Sequence, residues 1–246
     1  MEDAQGVLTK QERRQAAKEQ KQKERNRLQS TSKLKKIILI AVALATIGFL
    51  GYKLISYIST PTTAGNEALA VTDADWVRGN KEAKVTLVEY ADFECPACAA
   101  YEPLVERLIQ DFPEQLRVVS RHYPLINIHK NAMPASQAAE AAGKQGKFWE
   151  MGKVLYERQE EWVELSNSED KFSEYARELG LNEEQFLSDY DSQPVKDKIN
   201  ADILTSQRLR LSYTPSFLLD GRLISPKNYD EFKKLVEDEI QGYSLK

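Results

Sequence analysis

The chain contains two cysteines, Cys95 and Cys98, which form one Cys-x-x-Cys motif shortly after an apolar segment, Val85–Ala91. That segment is rich in β-branched and aromatic residues and predicts a central strand, and the proline after the first cysteine suits the first turn of a helix. We therefore expect one thiol at the N-terminus of a helix. The peptide dipoles and free amide groups there stabilise a thiolate, which is the form that attacks disulfides.

A structural disulfide and a zinc site are the alternatives to a redox-active dithiol. A disulfide between Cys95 and Cys98 would close a very short loop, so it would stabilise a fold only at the low end of about 0–5 kcal/mol. A zinc site needs about four ligands. The two histidines of the chain, His122 and His129, do not complete a common zinc spacing with the cysteines. The motif thus favours a redox dithiol, and we expect neither a metal nor a cofactor.

An apolar segment at residues 37–58 carries one charge, Lys53. As a helix its 22 residues would extend about 33 Å, which matches the hydrocarbon core of a bilayer. Residues 1–36 hold eleven Lys or Arg against five Asp or Glu, a net charge of +6. Because the whole chain has a net charge of −4, the rest of the chain has a net charge of −10. The positive-inside rule therefore predicts an uncleaved single-pass anchor with a cytoplasmic N-terminus. A cleaved signal peptide, processed near residues 68–70, is the alternative.

The folded part of the chain is accordingly expected outside the cell membrane, where disulfides persist. Because both cysteines lie in the motif, neither is available for a separate structural bridge. The acidic balance and the lack of a basic patch argue against nucleic-acid binding. The predicted organisation is a basic cytoplasmic arm, a transmembrane signal anchor, a linker, and a folded domain with a helical insertion. The arm is residues 1–36, the anchor 37–58 and the linker 59–71. The folded domain is residues 72–246, with its helical insertion at about 131–205.

The hydrophobic pattern of the folded part predicts an α/β order of strand, helix, strand, helical block, hairpin and helix. The first helix begins near Pro96 and is expected to kink at Pro103. Ser168 is a candidate N-cap, and Asn182 with Gln185 resembles a capping box. The predicted strands are 85–91, 116–123, 216–219 and 222–224, the last two joined by Asp220 and Gly221. The further predicted helices are 132–143, 147–159, 168–179, one after residue 182, 195–211, and 229–240 with Gly242 beyond its end.

Several segments, taken in order, resemble the DsbA-like group of thioredoxin-fold thiol–disulfide oxidoreductases over about residues 72–242. They are residues 76–80 and 85–98 for the entry strand and active site, 121–125 and 135–149 for the start of the helical insertion, and 213–221 for the cis-proline loop and hairpin. The resemblance implies a thioredoxin-like α/β fold with a helical insertion. One N-terminal transmembrane helix is expected to precede that fold.

The resemblance also implies roles for individual residues. Cys95 would be the exposed nucleophile and Cys98 the more buried resolving thiol. Pro215 would be the cis-proline that faces the disulfide, with the Thr214 backbone free to pair with a substrate strand. Glu89 stands where the family carries an acidic residue, and it would accept the proton of the resolving thiol. The residue pattern alone leaves open that Glu89 lies on the solvent face of an edge strand.

The dipeptide between the cysteines, Pro96 and Ala97, departs from the strong oxidants of the family, which have a histidine there. Thr214 stands where some strong oxidants have valine and isomerase-like relatives have threonine. Because the histidine is missing but the N-terminus of the helix remains, we expect an oxidant of intermediate strength. His122 and His129 are expected to be structural or surface residues. Phe148, Trp149 and Trp162 are expected in the core of the helical block.

The resulting prediction is a membrane-anchored, extracytoplasmic, monomeric enzyme that introduces disulfides into cysteine-containing exported proteins. The family implies a membrane redox partner of the DsbB or vitamin K epoxide reductase type that reoxidises the enzyme. A disulfide reductase or isomerase, kept reduced by a membrane electron donor, is the first alternative. A non-enzymatic module that uses the cysteine pair as soft-metal ligands is the second.

Overall fold

The computed structural model describes residue 18, residues 21–23, residues 46–51, residue 53 and residues 70–244. The chain divides into two compact units, Met1–Pro61 and Thr62–Lys246. The described residues of the first unit are helical. The predicted anchor at residues 37–58 lies outside the described residues, apart from 46–51 and 53. No helix within the described ranges is long and apolar enough to cross a membrane.

The described part of the second unit is built around a five-stranded mixed sheet with the order β1-β3-β2-β4-β5. Strand β2 lies at the centre, runs parallel to β3 and antiparallel to β4, and β1 and β5 are antiparallel edge strands. The strands are β1 Trp76–Gly79, β2 Val85–Ala91, β3 Leu116–His122, β4 Ser216–Leu219 and β5 Arg222–Ile224. Every residue of β2 is buried because both faces of the sheet are covered.

Helices cover both faces of this sheet, and a block of them is inserted between β3 and β4. The helices are α1 Pro96–Asp111, α2 Ala132–Gly143, α3 Phe148–Glu157, α4 Gln159–Trp162, α5 Glu169–Glu178, α6 Glu183–Tyr190, α7 Gln193–Arg208 and α8 Tyr229–Ser244. Helices α1 and α8 pack on one face of the sheet, and α7 contacts β3 on the other. This is a thioredoxin-like α/β fold with a helical insertion.

The alternation of side chains along β2 determines which groups lie below the motif. Val85 and Leu87 pack into the core formed with α1 and α8, whereas Val88 and Tyr90 pack into the core on the opposite face. Glu89 shares the face of Val85 and Leu87, so its carboxyl lies under the start of α1. Each fully buried apolar side chain contributes about 1.5–3 kcal/mol to this layered core.

The helical block has its own aromatic core, which is joined to β1 through Trp76. Phe148 and Trp162 are buried and Trp149 is partly buried against them, which confirms the prediction for these three residues. The ring of Trp76 stacks on Phe148 with centroids 4.5 Å apart, and its Nε1 donates to Glu140 Oε1 at 2.8 Å. This contact holds the sheet edge against the helical block.

Two predicted helix signals differ from the structure because tertiary partners compete with local capping. The Ser168 hydroxyl does not cap α5 but donates to Asn131 Oδ1 at 3.1 Å. The Asn182 side chain does cap α6, accepting from the Gln185 amide at 2.8 Å. The backbone N–H of Asn182 donates to Gln145 Oε1 instead of to the Gln185 side chain. The second hydrogen bond of the predicted capping box is therefore replaced by a tertiary one.

Three helix boundaries also differ. The segment predicted as one helix at residues 147–159 breaks at Arg158, whose backbone is not helical (φ −118°, ψ 30°). The predicted helix 195–211 is α7, which begins two residues earlier because Pro194 suits its first turn, and it ends at Arg208. The last helix, predicted to end before Gly242, continues to Ser244, since an exposed glycine weakens a helix without ending it.

Candidate active site

Cys95 and Cys98 lie at the junction of β2 and α1, as the sequence predicts. Cys95 is the N-cap residue of α1, with extended backbone dihedrals (φ −73°, ψ 119°), and Pro96 occupies the first turn of the helix. Both cysteines are free thiols. Cys95 is 8% exposed and Cys98 is fully buried, so solvent and a second protein reach only the first of them.

The environment of Cys95 stabilises its thiolate. A hydrogen bond from the Cys98 thiol lowers the pKa of Cys95 to about 5, with further contributions from Thr214 and from the backbone amides of Cys98 and Ala97, while burial opposes the shift. The two amides lie in the first turn of α1, where backbone N–H groups have no partner within the helix. Cys95 is therefore ionised at neutral pH and is a ready nucleophile.

The loop before β4 lies directly against the nucleophile. The Thr214–Pro215 peptide bond is cis. The Cys95 Sγ atom is 3.5 Å from the Thr214 carbonyl oxygen, to which the protonated thiol donates. The Thr214 hydroxyl oxygen is buried and has no hydrogen-bond partner among the described residues. The loop thus brings the backbone of Thr214, the residue before the cis-proline, to the reactive sulfur.

Cys98 has the opposite electrostatic environment. Burial raises its pKa well above the usual value, and its hydrogen bond to Cys95, the Cys95 charge and the Glu89 charge raise it further. The amide of Asp92, 3.5 Å from the Cys98 Sγ atom, opposes these effects only in part. Cys98 therefore remains a thiol until a base takes its proton.

Glu89 is placed to act on that proton. It is 5% exposed on the central strand, which excludes the edge-strand alternative. The pKa of Glu89 is raised to about 8, chiefly by burial and further by the charge of Glu102, while Arg78 opposes the shift. Arg78 itself pairs with Glu102 at 2.9 Å. A carboxyl with a pKa near neutrality can both accept and return a proton.

Sequence reasoning missed a polar cluster that holds the loop between β2 and α1. The Asp92 carboxylate is fully buried and accepts hydrogen bonds from the backbone N–H groups of Glu94 at 2.8 Å and Leu125 at 2.9 Å. It also lies 2.7 Å from His129 Nδ1. The Glu94 carboxylate accepts the amide of Asn131 at 2.6 Å. The only sequence signal for this cluster is the pair of acidic residues that flank Phe93 just before the motif.

Gln159 is a second residue without a local sequence signal. Its side-chain Nε2 donates to the backbone carbonyl oxygens of Phe93 at 2.7 Å and Cys95 at 3.2 Å. The helical insertion is therefore attached directly to the backbone of the nucleophile. This contact spans more than 60 residues of sequence, so no periodicity or spacing in the chain could indicate it.

Both histidines have protein partners. His122 Nε2 lies 2.7 Å from Glu140 Oε1 inside the domain, and His129 pairs with Asp92 below the active-site loop. Over the part of the chain that the structure describes, no group of three or more His, Cys, Asp or Glu side chains could hold a metal ion. The geometry instead supports thiol chemistry, with one ionised and accessible sulfur, one protonated and buried sulfur, and a carboxyl beneath them.

Comparison with known proteins gives matches of the same kind. A family model described as thioredoxin matches residues 71–238. A thioredoxin-like oxidoreductase from Silicibacter pomeroyi is 26% identical with a TM-score of 0.60, and the match covers 75% of this chain and 99% of that one. Alpha-DsbA1 from Wolbachia pipientis shares the fold at 20% identity with a TM-score of 0.64, covering 74% of this chain and 98% of that one.

Curated proteins that match this chain in sequence are named as ion antiporters. The Na(+)/H(+) antiporter NhaA 3 of Salinispora tropica is 41% identical over 150 residues, which is 61% of this chain and 22% of that protein. An antiporter NhaA 1 of Mycobacterium sp. (strain KMS) matches over 192 residues, 30% of its length. The chain therefore spans a fifth to a third of the curated relatives that it matches. That share is too small to assign ion transport to this chain.

Proposed function

The chain belongs to the thioredoxin family as a DsbA-like thiol–disulfide oxidoreductase, and on that premise we propose that it introduces disulfides into exported proteins. The observation that carries the proposal is the asymmetry of the two sulfurs. The pKa of Cys95 is lowered to about 5, whereas that of Cys98 is raised well above its usual value. A stabilised Cys95 thiolate favours the reduced form of the pair, and this makes the disulfide form an oxidant.

The oxidase reaction proceeds by two exchanges. A thiolate of the substrate attacks the Cys95 sulfur of the enzyme disulfide, and Cys98 leaves with the electron pair of the broken bond. The Cys98 sulfur takes a proton, for which Glu89 is the nearby donor. A second substrate thiolate then attacks the substrate sulfur of the mixed disulfide and releases Cys95 as a thiolate. The substrate dithiol is oxidised to a disulfide, and the enzyme disulfide is reduced to a dithiol.

Substrate binding in this proposal uses the loop of Thr214 and Pro215. The Thr214 carbonyl lies 3.5 Å from the Cys95 sulfur, so an extended peptide that pairs with this loop would bring its own cysteine to the nucleophile. Main-chain pairing is largely independent of side-chain identity. It therefore suits an enzyme that acts on many unfolded, cysteine-containing proteins.

The location and partners belong to the same proposal. An anchor at residues 37–58 with a basic cytoplasmic flank would hold the domain on the outer face of the cell membrane. A quinone-linked membrane protein of the DsbB or vitamin K epoxide reductase type would restore the Cys95–Cys98 disulfide. The enzyme would act as a monomer, since an exchange at one exposed sulfur needs a single active site.

A disulfide reductase or isomerase is the second candidate, and two residues favour it. Ala97 leaves the motif without a histidine that would stabilise the thiolate further, and Thr214 is the residue of isomerase-like relatives. The missing histidine would lower the oxidising strength of the pair. The fold and the active-site geometry are the same for either direction of electron flow, so the reduction potential distinguishes the two.

A trapping experiment tests the proposal. In exporting cells, the Cys98→Ser variant is expected to accumulate mixed disulfides between Cys95 and secreted proteins, since Cys98 can no longer resolve them. The Cys95→Ser variant is the matched control and should form none. Absence of adducts in the first variant would count against disulfide exchange. Retention of a bound soft metal that depends on Cys95 would instead favour the metal-binding module.

A further inference from the structure

Tyr156, in the inserted helix α3, packs against the buried cluster of Ala91, Cys95 and Cys98. Its ring centroid lies 4.9 Å from that of Phe93, two residues before the nucleophile. Gln159, at the start of the following helix α4, donates two hydrogen bonds to the active-site loop. Three separate contacts thus hold a phenol beside the dithiol, and the oxidoreductase mechanism described above assigns it no role.

Two spaces in the structure meet at this phenol. Tyr156, Glu89 and Glu102 line a small cavity of about 10 Å³, which is room for one water molecule. Tyr156 and Glu102 also line an open groove of about 510 Å³ between α1 and α3. Tyr156 therefore lines both the small cavity at Glu89 and a solvent-accessible groove.

The Tyr156 hydroxyl is available as a hydrogen-bond donor. None of the described residues is its hydrogen-bond partner. Burial raises the pKa of Tyr156 well above its usual value, and the charges of Cys98, Glu89 and Glu102 raise it further. The hydroxyl consequently keeps its proton at neutral pH, and it can donate to a water molecule or to a developing thiolate.

Charged and titratable groups face the phenol from each element packed against it. They are Arg78 on β1, Glu89 on β2, Asp92 in the following loop, Cys98, Glu102 and Glu106 on α1, and Glu150, Lys153 and Glu157 on α3. Arg78 forms an ion pair with Glu102, and Lys153 Nζ lies 3.8 Å from Glu157 Oε1. Tyr156 adds a neutral hydroxyl to these groups, as does Ser120, which also lines the small cavity, so the phenol can orient water without adding a charge.

We propose that Tyr156 is a positioning residue for the proton that passes between Glu89 and Cys98, which rests on the disulfide exchange proposed above. Its hydroxyl orients a water molecule in the small cavity. When a substrate sulfur bonds to Cys95, the Cys95–Cys98 bond breaks and Cys98 leaves with the electron pair. The Cys98 thiolate then receives a proton from the Glu89 carboxyl through that water. In the reverse step, the Glu89 carboxylate takes the proton as the Cys98 sulfur attacks a mixed disulfide at Cys95.

Reaction of the reduced full-length protein with glutathione disulfide allows the formation and the resolution of a mixed disulfide to be measured separately. Glutathione disulfide first forms a mixed disulfide at Cys95, which Cys98 then resolves to the intramolecular disulfide with release of glutathione. Acid quenching and mass spectrometry give both rates. Tyr156→Phe keeps the ring and removes only the hydroxyl. Tyr175→Phe is the control, since that buried phenol donates to Glu161 at 3.0 Å within the helical block.

The first rate is expected to be unchanged in Tyr156→Phe, and the resolution rate to fall about fivefold below pH 8, the effect of one hydrogen bond of about 1 kcal/mol. The deficit should disappear in strongly alkaline solution, where hydroxide deprotonates Cys98 directly. In a Glu89→Gln background, the Tyr156 change should have no further effect. Tyr175→Phe should match the wild type in both steps.

Two results would overturn the inference about Tyr156. One is a resolution rate equal to that of the wild type between about pH 6 and 8. The other is a deficit that persists at all pH values and is additive with Glu89→Gln, which indicates a packing defect. A failure of the protein to form any mixed disulfide at Cys95 would instead remove the proposed function, so the two failures are distinguishable.

Discussion

The sulfur of Cys95 lies 3.5 Å from the carbonyl oxygen of Thr214, a residue 119 positions later in the chain. This contact joins the N-terminus of α1 to the loop before β4, and both elements flank the central strand. The nucleophile and the backbone that would align a substrate are therefore fixed relative to one another by the sheet. The Thr214 hydroxyl is buried with no hydrogen-bond partner in the described part of the chain and lowers the pKa of Cys95, so it is available to donate to the thiolate.

Removal of that hydroxyl should weaken the oxidant. Thr214→Val keeps the shape of the side chain but loses a donor to the Cys95 thiolate, so the pKa of Cys95 should rise above about 5. One hydrogen bond of about 1 kcal/mol corresponds to a fall in the reduction potential of about 20 mV. Equilibration of both proteins with glutathione buffers measures the difference. An unchanged or higher potential in Thr214→Val would contradict this role of the hydroxyl.

The Cys98 thiol makes the largest contribution to the low pKa of its neighbour. Cys98→Ala should therefore raise the pKa of Cys95, although the helix amides remain. The ultraviolet absorbance of the thiolate, followed against pH, reports this directly because only one sulfur is left. The Cys98→Ser variant provides a control, since its hydroxyl can still donate and should raise the pKa less. Equal titrations for the two variants would show that the hydrogen bond has no effect.

The lowered pKa of Cys95 also predicts how the stability of the reduced protein changes with pH. Between about 5 and the usual 9.0, the unfolded state binds a proton at this thiol that the folded state does not. The free energy of unfolding should therefore rise with pH across this window, and the gain is lost as the pH falls through about 5. Relative to Cys95→Ala, we expect about 1–3 kcal/mol after solvent screening. Urea unfolding under reducing conditions measures it, and parallel pH profiles would exclude the effect.

Glu89 should affect stability with the opposite sign. Its pKa is raised from 4.5 to about 8, so between these values the folded state binds a proton that the unfolded state has lost. Stability due to this group is full below about pH 4.5 and declines as the pH rises through 8. Glu89→Gln removes the decline and should be more stable at pH 8 by roughly 1–3 kcal/mol. The exposed Glu106→Gln is the control, and a Glu89→Gln protein with the wild-type pH profile would contradict a buried, protonated carboxyl.

The sequence indicates those parts of the fold and site that depend on local pattern. The β-branched run of β2 and the proline after Cys95 predict the strand-to-helix turn, and Asp220 with Gly221 predicts the hairpin, where both residues have positive φ. Glu89 could be assigned to the site only by family resemblance, because a carboxyl in an apolar strand fits an edge strand equally well.

The remaining features depend on contacts between distant segments. Gln159 and Tyr156 reach the active-site loop from the helical insertion, and neither differs in pattern from other residues of an amphipathic helix. The loss of the Ser168 cap has the same origin, since its hydroxyl finds a tertiary partner in Asn131. Local propensity cannot predict such choices, because the competing partner is brought close only by the fold.

The reduction potential of the Cys95–Cys98 pair tests the central claim most directly. The full-length protein is equilibrated with glutathione buffers of known ratio, and the fraction with free thiols is determined by alkylation and mass spectrometry. A value between about −120 and −180 mV is expected for an enzyme that donates disulfides to exported proteins. A value near −270 mV, that of a thioredoxin-like reductant, would contradict the oxidase function and favour electron flow in the opposite direction.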